Sequence, residues 1–96
     1  STRTGDSVLN TYTIEFFAKC PSNGARIRYS LSIQTSSLIM VEDIVEFIEA
    51  NTAEPIYQEK LADTLEGFFP GIQTMRAHHH GVDIETVRGR HFGVKV

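Results

Sequence analysis

The side chains that could carry chemistry in this chain include a single cysteine at the end of a predicted strand. Cys20 lies between Lys19 and the sequence Pro-Ser-Asn-Gly, so a loop presents its thiol beside a cation. A neighbouring positive charge favours the thiolate, the reactive form of cysteine. A free cysteine is also commonly a small buried hydrophobe. Cys20 is therefore a candidate nucleophile, with a place in the core as the alternative.

A carboxylate in a predicted helix is the second candidate. Glu59 follows Tyr57 and Gln58 and lies off the apolar stripe of that helix. A carboxylate held there accepts two N–H hydrogen bonds, which suits the guanidine-like edge of a heterocyclic ring. The alternative is a solvated helix charge near Lys60 or Asp63.

Three consecutive histidines, His78, His79 and His80, precede a glycine. On a strand His78 and His80 share a face while His79 points to the other. Zinc would need further ligands, and Cys20 is the obvious one. We expect no bound metal, because histidine-rich turns are more often polar loops. Arg88, near the end of the chain, could bind a phosphate or carboxylate group, and a scattered surface arginine explains it equally well.

Two β-hairpins are predicted at the ends of the chain. From Tyr12 to Lys19 apolar residues alternate with polar ones, a period of two that indicates a strand. Asn23-Gly24 is a strong hairpin signal, and Arg26 to Gln34 alternate again. Residues 72–79 and 82–88 form the second pair of strands, with the turn at Gly81. Phe17, Met75 and Val87 are expected on the outer face of the sheet.

Two helices are predicted between the hairpins. The first has an apolar stripe of Val41, Ile44, Val45 and Ile48. Pro55 suits the first turn of the second helix, whose apolar stripe consists of Leu61, Ala62, Leu65, Phe68 and Phe69. The order ββααββ predicts an α+β domain in which a four-stranded antiparallel sheet has both helices on one face.

Composition limits the classes of partner. The chain has 96 residues and a net charge of −3, which argues against nucleic-acid and anionic-membrane partners because both call for a basic face. No stretch is long enough to span a bilayer. One cysteine cannot form an internal disulfide, so we expect a cytoplasmic location. Residues 1–11 are expected to be a flexible leader and residues 12–96 a single domain.

The sequence resembles the tunnelling-fold (T-fold) superfamily, in particular 7-cyano-7-deazaguanine (preQ0) reductase and GTP cyclohydrolase I. Phe16 to Gly24 is similar to the reductase segment with the nucleophilic cysteine, and Val41-Glu42 to the pair that opens its first helix. Pro55 to Leu61 resembles the cyclohydrolase helix with the ring-anchoring glutamate. Ala77-His78-His79, with the downstream Arg88-Gly89, resembles its zinc-binding strand.

The resemblance implies a homo-oligomer, closed into a β-barrel, that binds a purine or pterin between subunits. Glu59 would anchor the ring, with Glu42 and Arg88 as further substrate-binding residues. Cys20 would be a nucleophile, forming a thioimide with a nitrile, or a metal ligand, and His79 a proton donor or ligand. A reductase would use NADPH and a cyclohydrolase zinc.

An alternative hypothesis is a non-catalytic oligomeric domain with an assembly or regulatory role. The reductase's proton-donating aspartate has no counterpart in the short loop after Gly24. Asn23 and Gly81 stand at the positions that would complete zinc binding in the cyclohydrolase. The two hypotheses differ in whether Cys20 reacts.

Overall fold

The computed structural model describes residues 9–89, and its elements follow the predicted ββααββ order. They are β1 (Asn10–Lys19), β2 (Arg26–Thr35), α1 (Val41–Thr52), α2 (Gln58–Phe68), β3 (Ile72–His79) and β4 (Val82–Arg88). Asn10 and Thr11, assigned above to a leader, belong to β1. Residues 1–8 and 90–96, the rest of that leader and the end of the predicted domain, lie outside the described residues. No helix in the described part is long and apolar enough to cross a membrane.

The four strands form one antiparallel sheet in the order β1-β2-β3-β4. Pairs such as Ala18 with Ile27 and Tyr29 with Ala77 fix the register. α1 packs against β1, and α2 packs against β3 and β4. Both helices cover the same face of the sheet, because the buried side chains of the strands and helices form one core, which includes Leu31, Ile33, Leu61, Leu65 and Met75.

Both predicted hairpin turns are present. Gly24 has φ +73°, and the Asn23 side chain accepts a hydrogen bond from the Ala25 N–H at 2.9 Å, a local tie typical of asparagine turns. Between β3 and β4, His80 and Gly81 have φ of +54° and +78°. Positive φ at both central residues defines a type I′ turn, whose twist matches that of the flanking strands.

The outer-face assignment of Met75 is wrong. Met75 is almost wholly buried in the core, whereas Phe17 and Val87 are exposed as expected. The phase of β3 was ambiguous because each of its two faces carries a mixture of apolar and polar residues. Gln73, on the inner face, is accommodated because its side-chain amide donates to the carbonyls of Leu65 and Phe69 at the end of α2. The Phe69 carbonyl lies just past the helix end, where carbonyls lack partners within the helix, whereas the Leu65 carbonyl also accepts from the backbone N–H of Phe69.

The helix predictions need three corrections. Val41 and Val45 remain exposed, and only Ile44 and Ile48 of the α1 stripe are buried, because α1 meets the sheet mainly at the edge strand β1. Pro55 lies outside α2. The backbone N–H of Ile56 donates to the carbonyl of Lys19 at 3.0 Å, which holds the linker extended, so that the helix begins only at Gln58.

Phe68, assigned to the buried stripe of α2, is the third correction, since it is 61% exposed. Its ring instead stacks on Phe47 of α1, with the centroids 4.4 Å apart. Phe69, just beyond the helix, is buried and meets both rings edge to face. The end of α2 is thereby attached to α1 through aromatic contacts.

Three segments of backbone meet at one end of the sheet, where two glycines lie. Gly71 and Gly89 have φ of +94° and +110°. A Cβ on Gly71 would overlap the carbonyl of Gln34 and lie 2.6 Å from the Cβ of Thr35. A Cβ on Gly89 would overlap the carbonyl of Gly71. The end of β2, the start of β3 and the end of β4 can therefore approach only without side chains at these positions.

Candidate functional site

The linker before α2 brings the start of this helix to the end of β1. The Ile56 N–H donates to the carbonyl of Lys19, the residue before Cys20. This bond places the residues from Ile56 onward beside the thiol. The sheet supplies the other wall, because Tyr29 pairs with Ala77 and Ala77 with Ile84 in adjacent strands.

A cavity of about 90 Å³ lies between these parts. Its wall contains three residues predicted to carry chemistry, Cys20, Glu59 and His79, although they are far apart in sequence. The other lining residues are Ile27, Tyr29, Ile56, Tyr57, Gln58, Ala77 and Ile84. Pockets that enclose small molecules usually measure about 300–1,000 Å³, which is larger than this cavity.

Gln58 fixes the start of α2 on the sheet, and the sequence analysis missed this role. Its side chain is buried, and Nε2 lies 2.9 Å from Oγ1 of Thr86 and 3.2 Å from the carbonyl oxygen of Met75. The next residue, Glu59, is exposed at the rim of the cavity. The signal that could have revealed Gln58 is an amide at the first position of a helix, where it can reach the underlying strands.

The Cys20 side chain is 8% exposed, which matches the packed alternative more closely than a thiol on an open loop. Even so, its pKa is lowered. The main cause is hydrogen bonding from the backbone of Ser22, supported by the backbone of Asn23 and the Ser22 hydroxyl, while burial acts in the opposite direction. Groups that donate to a sulfur stabilise its anion. Cys20 thus combines packing with a bias toward the thiolate.

Tyr29 connects the thiol and the carboxylate electrostatically. It is 2% exposed and stacks on Phe16 with 5.3 Å between the ring centroids. Its pKa is raised, first by burial and then by the negative charges of Cys20 and Glu59. The sequence analysis assigned no role to Tyr29. The structure shows that it is also part of the cavity wall.

His79 is half-buried, and its Nε2 atom has no hydrogen-bond partner among the described residues. A buried polar atom without a partner costs free energy. In the wall of a cavity, such an atom can bind a ligand group or a water molecule. His79 is therefore the cavity residue with an unused capacity for hydrogen bonding.

Two predicted binding residues lie away from this cavity within one chain. Glu42 is exposed in the first turn of α1, the helix packed on β1. Arg88 of β4 donates from Nε to Oδ1 of Asp63 on α2 at 2.8 Å. The structure thus brings together three of the five candidate site residues.

The three histidines do not converge on one point, although the ring centroids of His79 and His80 lie 4.3 Å apart. Nδ1 of His78 lies 2.7 Å from Oδ1 of Asp83 across the hairpin. Nε2 of His80 lies 3.0 Å from Nδ2 of Asn23. Within residues 9–89, no three histidine, cysteine, aspartate or glutamate side chains lie close enough to hold a metal ion together. A structural zinc site needs four ligands and a catalytic one usually three, so the described donors of one chain do not fit zinc.

The fold and the site define an α+β protein with a four-stranded antiparallel sheet and a small cavity, lined by apolar residues and a few polar ones, between the sheet and the second helix. No protein-family model and no curated protein matches the sequence. Among solved structures, the chain is similar to the crystal structure of the archaeosine synthase QueF-Like in its apo form. The TM-score is 0.69 at 16% identity, over 83% of this chain and 90% of that one. This likeness confirms the predicted ββααββ tunnelling-fold module as a fold.

Proposed function

We propose that this chain is a homo-oligomeric enzyme that binds a purine or pterin ring, with Glu59 as the ring anchor and Cys20 as the nucleophile. The observation that carries the proposal is the shared cavity of Cys20, Glu59 and His79. The likeness in fold to a protein described as an archaeosine synthase supports it. The single cysteine is consistent with a reducing, cytoplasmic location.

Glu59 is suited to the recognition step. Its carboxylate is exposed at the rim, and Gln58, anchored on Thr86, holds the helix start in place. Two carboxylate oxygens accept two parallel N–H bonds from a guanidine-like ring edge. Because hydrogen bonds to a charged group contribute about 1.5–3 kcal/mol each, loss of the charge should weaken binding by roughly tenfold or more.

Cys20 is suited to addition to an electrophilic carbon such as that of a nitrile. The thiolate sulfur forms a bond to the carbon, one π bond of the nitrile breaks, and the nitrogen takes a proton. The product is a thioimide. His79 is the proposed proton donor because its Nε2 is free of other partners among the described residues. Formation of this adduct requires no oxidant and no reductant, hence no NADPH.

The small cavity supports the assignment of the site to an interface between subunits. A space of about 90 Å³ is too small for an enclosed ligand, so a second copy would complete the wall. Glu42, which is remote from the cavity within one chain, is then proposed to reach a neighbouring subunit's ligand. Arg88, paired with Asp63, is proposed to contact substrate only if that pair opens.

The test of ring binding is a thermal-shift panel of purines, 7-deazapurines and pterins. A ligand at about a hundred times its Kd should add about 2.7 kcal/mol of apparent stability to the wild type. Glu59→Gln should reduce the shift, and Glu66→Gln, the same change at an exposed site of α2, should not. No shift with any compound, or equal shifts in both variants, would contradict the proposal.

A second candidate is a non-catalytic oligomeric domain, favoured by the nearly complete burial of Cys20. It predicts that the folded protein reacts with iodoacetamide far more slowly than the urea-unfolded chain at the same pH. Fast alkylation of the folded protein would exclude this candidate.

A further inference from the structure

The turn that follows Cys20 is attached to the second hairpin by side chains. The amide nitrogen Nδ2 of Asn23 lies 3.0 Å from Nε2 of His80, in the turn between β3 and β4. The other hydrogen bonds of this turn among the described residues are local: the N–H of Cys20 donates to the carbonyl of Ala25, and that of Gly24 to the carbonyl of Cys20. The contact therefore fixes the turn relative to β3.

The direction of this hydrogen bond follows from the neighbouring bond of Asn23. Oδ1 of Asn23 accepts from the Ala25 N–H at 2.9 Å, which assigns the oxygen and leaves the NH₂ group toward His80. An NH₂ group only donates, so Nε2 of His80 is assigned as the acceptor of this hydrogen bond. His80 is held in this arrangement by its left-handed backbone, with φ +54°.

The same turn supplies the groups that act on the thiol. The backbones of Ser22 and Asn23 and the hydroxyl of Ser22 favour the anionic sulfur of Cys20. These residues are exposed, so packing alone does little to hold them near the sulfur. Lys19 adjoins Cys20 in the chain. The other ionisable groups that line the cavity with the thiol are Tyr29 of β2, Tyr57 before α2, Glu59 of α2 and His79 of β3.

We propose that Asn23 and His80 form a positioning pair, whose hydrogen bond keeps the donors of the turn at residues 21–24 on the thiol of Cys20. The side-chain contact of the pair does not involve the reacting atoms, whereas the backbone of Asn23 is itself one of the groups that act on the thiol. The pair acts through the turn, and its role rests on the proposed function of Cys20 as a nucleophile. Through this pair, the second hairpin affects the reactivity of the Cys20 thiol in the first hairpin. The second hairpin also contributes His79 to the cavity.

His80→Asn is the variant that tests the pair. Asparagine followed by Gly81 is a favourable sequence for a type I′ turn, so the hairpin keeps its geometry. The asparagine side chain is shorter than that of histidine and does not reach Asn23. His80→Gln restores an acceptor at nearly the original distance. His78→Asn is the matched control, because His78 pairs with Asp83 and not with the turn.

The measurement is the rate of alkylation by iodoacetamide as a function of pH. The midpoint of the wild type should lie below the value of about 8.5 for a free cysteine. It should rise in His80→Asn, return toward the wild-type value in His80→Gln and stay unchanged in His78→Asn. Circular dichroism verifies that each variant is folded.

Three outcomes would overturn the inference, and they differ in what else they affect. An unchanged, lowered midpoint in His80→Asn removes the role of the pair and leaves that of Cys20. An equal rise in His80→Asn and His80→Gln removes the role of the hydrogen bond. An ordinary midpoint in the wild type removes both the pair and the activated thiol, while the Glu59 binding test remains independent.

Discussion

At the scale of single residues, two groups of the cavity alter the ionisation of a third. Tyr29 is buried between Cys20 and Glu59, and both negative charges add to the effect of burial in raising its pKa. A neutral phenol beside a thiolate and a carboxylate can donate a hydrogen bond to either. Tyr29 is therefore a core residue whose pKa depends on the charges in the site.

The raised pKa of Tyr29 predicts a loss of stability in alkaline solution. The unfolded chain releases the phenol proton near the ordinary pKa of about 10, whereas the folded chain retains it. Above that pH the unfolded state binds fewer protons, so the free energy of unfolding falls, by up to about 1.4 kcal/mol per pH unit.

Urea unfolding at increasing pH measures this effect. Tyr29→Phe should remove the part of the fall in the free energy of unfolding that comes from the Tyr29 phenol. Tyr57→Phe, a change at an exposed residue, should leave that fall unchanged. Identical pH profiles for Tyr29→Phe and the wild type would show that Tyr29 ionises equally in both states.

Cys20, Glu59 and His79 could be chosen from the sequence because their types and neighbours suggest chemistry. Gln58 and Tyr29 could not, since their roles depend on contacts between distant segments. Glu42 lies outside the cavity because α1 meets the sheet mainly at the edge strand β1, and sequence periodicity does not specify which strand a helix covers.

At the scale of elements, the sequence predicted the structure best where a turn sequence or an alternation of polar and apolar residues defines it. The alternation of β1 and β2 and the Asn23-Gly24 turn predicted the first hairpin correctly. The start of α2 was misplaced because the backbone bond from Ile56 to Lys19 outweighs the preference of proline for the first turn. Met75 was misplaced because both faces of β3 are mixed in polarity.

Substitution by alanine should have opposite effects on the free energy of unfolding at two glycines, Gly89 at a positive φ and Gly67 within α2. Gly89→Ala should lower the free energy of unfolding by more than about 2 kcal/mol, because the new Cβ overlaps the Gly71 carbonyl at an unfavourable φ. Gly67→Ala should raise it by about 0.5–1 kcal/mol, since Gly67 is helical with open space around it.

Denaturant titration of both variants measures these changes. Gly67→Ala serves as the control for the added methyl group. If Gly89→Ala lowers the free energy of unfolding by no more than about 0.5 kcal/mol, the usual size for a surface change, the close approach of Gly89 to Gly71 is contradicted.

At the scale of the whole molecule, β1 and β4 form the two edges of the sheet among residues 9–89. Unpaired edges promote association, and a second copy would complete the proposed site at the small cavity. We therefore expect a native mass that is a multiple of 10.8 kDa in light scattering. A species of 10.8 kDa alone, at concentrations where ligand binds, would contradict this expectation.

Charge substitutions should locate the contact between copies. Val87→Lys places a charge on the exposed outer face of the edge strand β4 and should lower the mass. Leu38→Lys, at a more exposed position before α1, should leave the mass unchanged. The reverse pattern would place the contact on the helical side.

The strand order β1-β2-β3-β4 also affects how the protein folds while it is being synthesised. Each strand pairs with the one before it in the chain, so the first hairpin can form once Thr35 has left the ribosome. The core-facing side of this hairpin, with Leu31 and Ile33, and the unpaired edge of β2 then remain open until β3 emerges behind both helices. Nascent chains are prone to aggregate during that interval, and a slow stretch of translation between α1 and β3 would lengthen it.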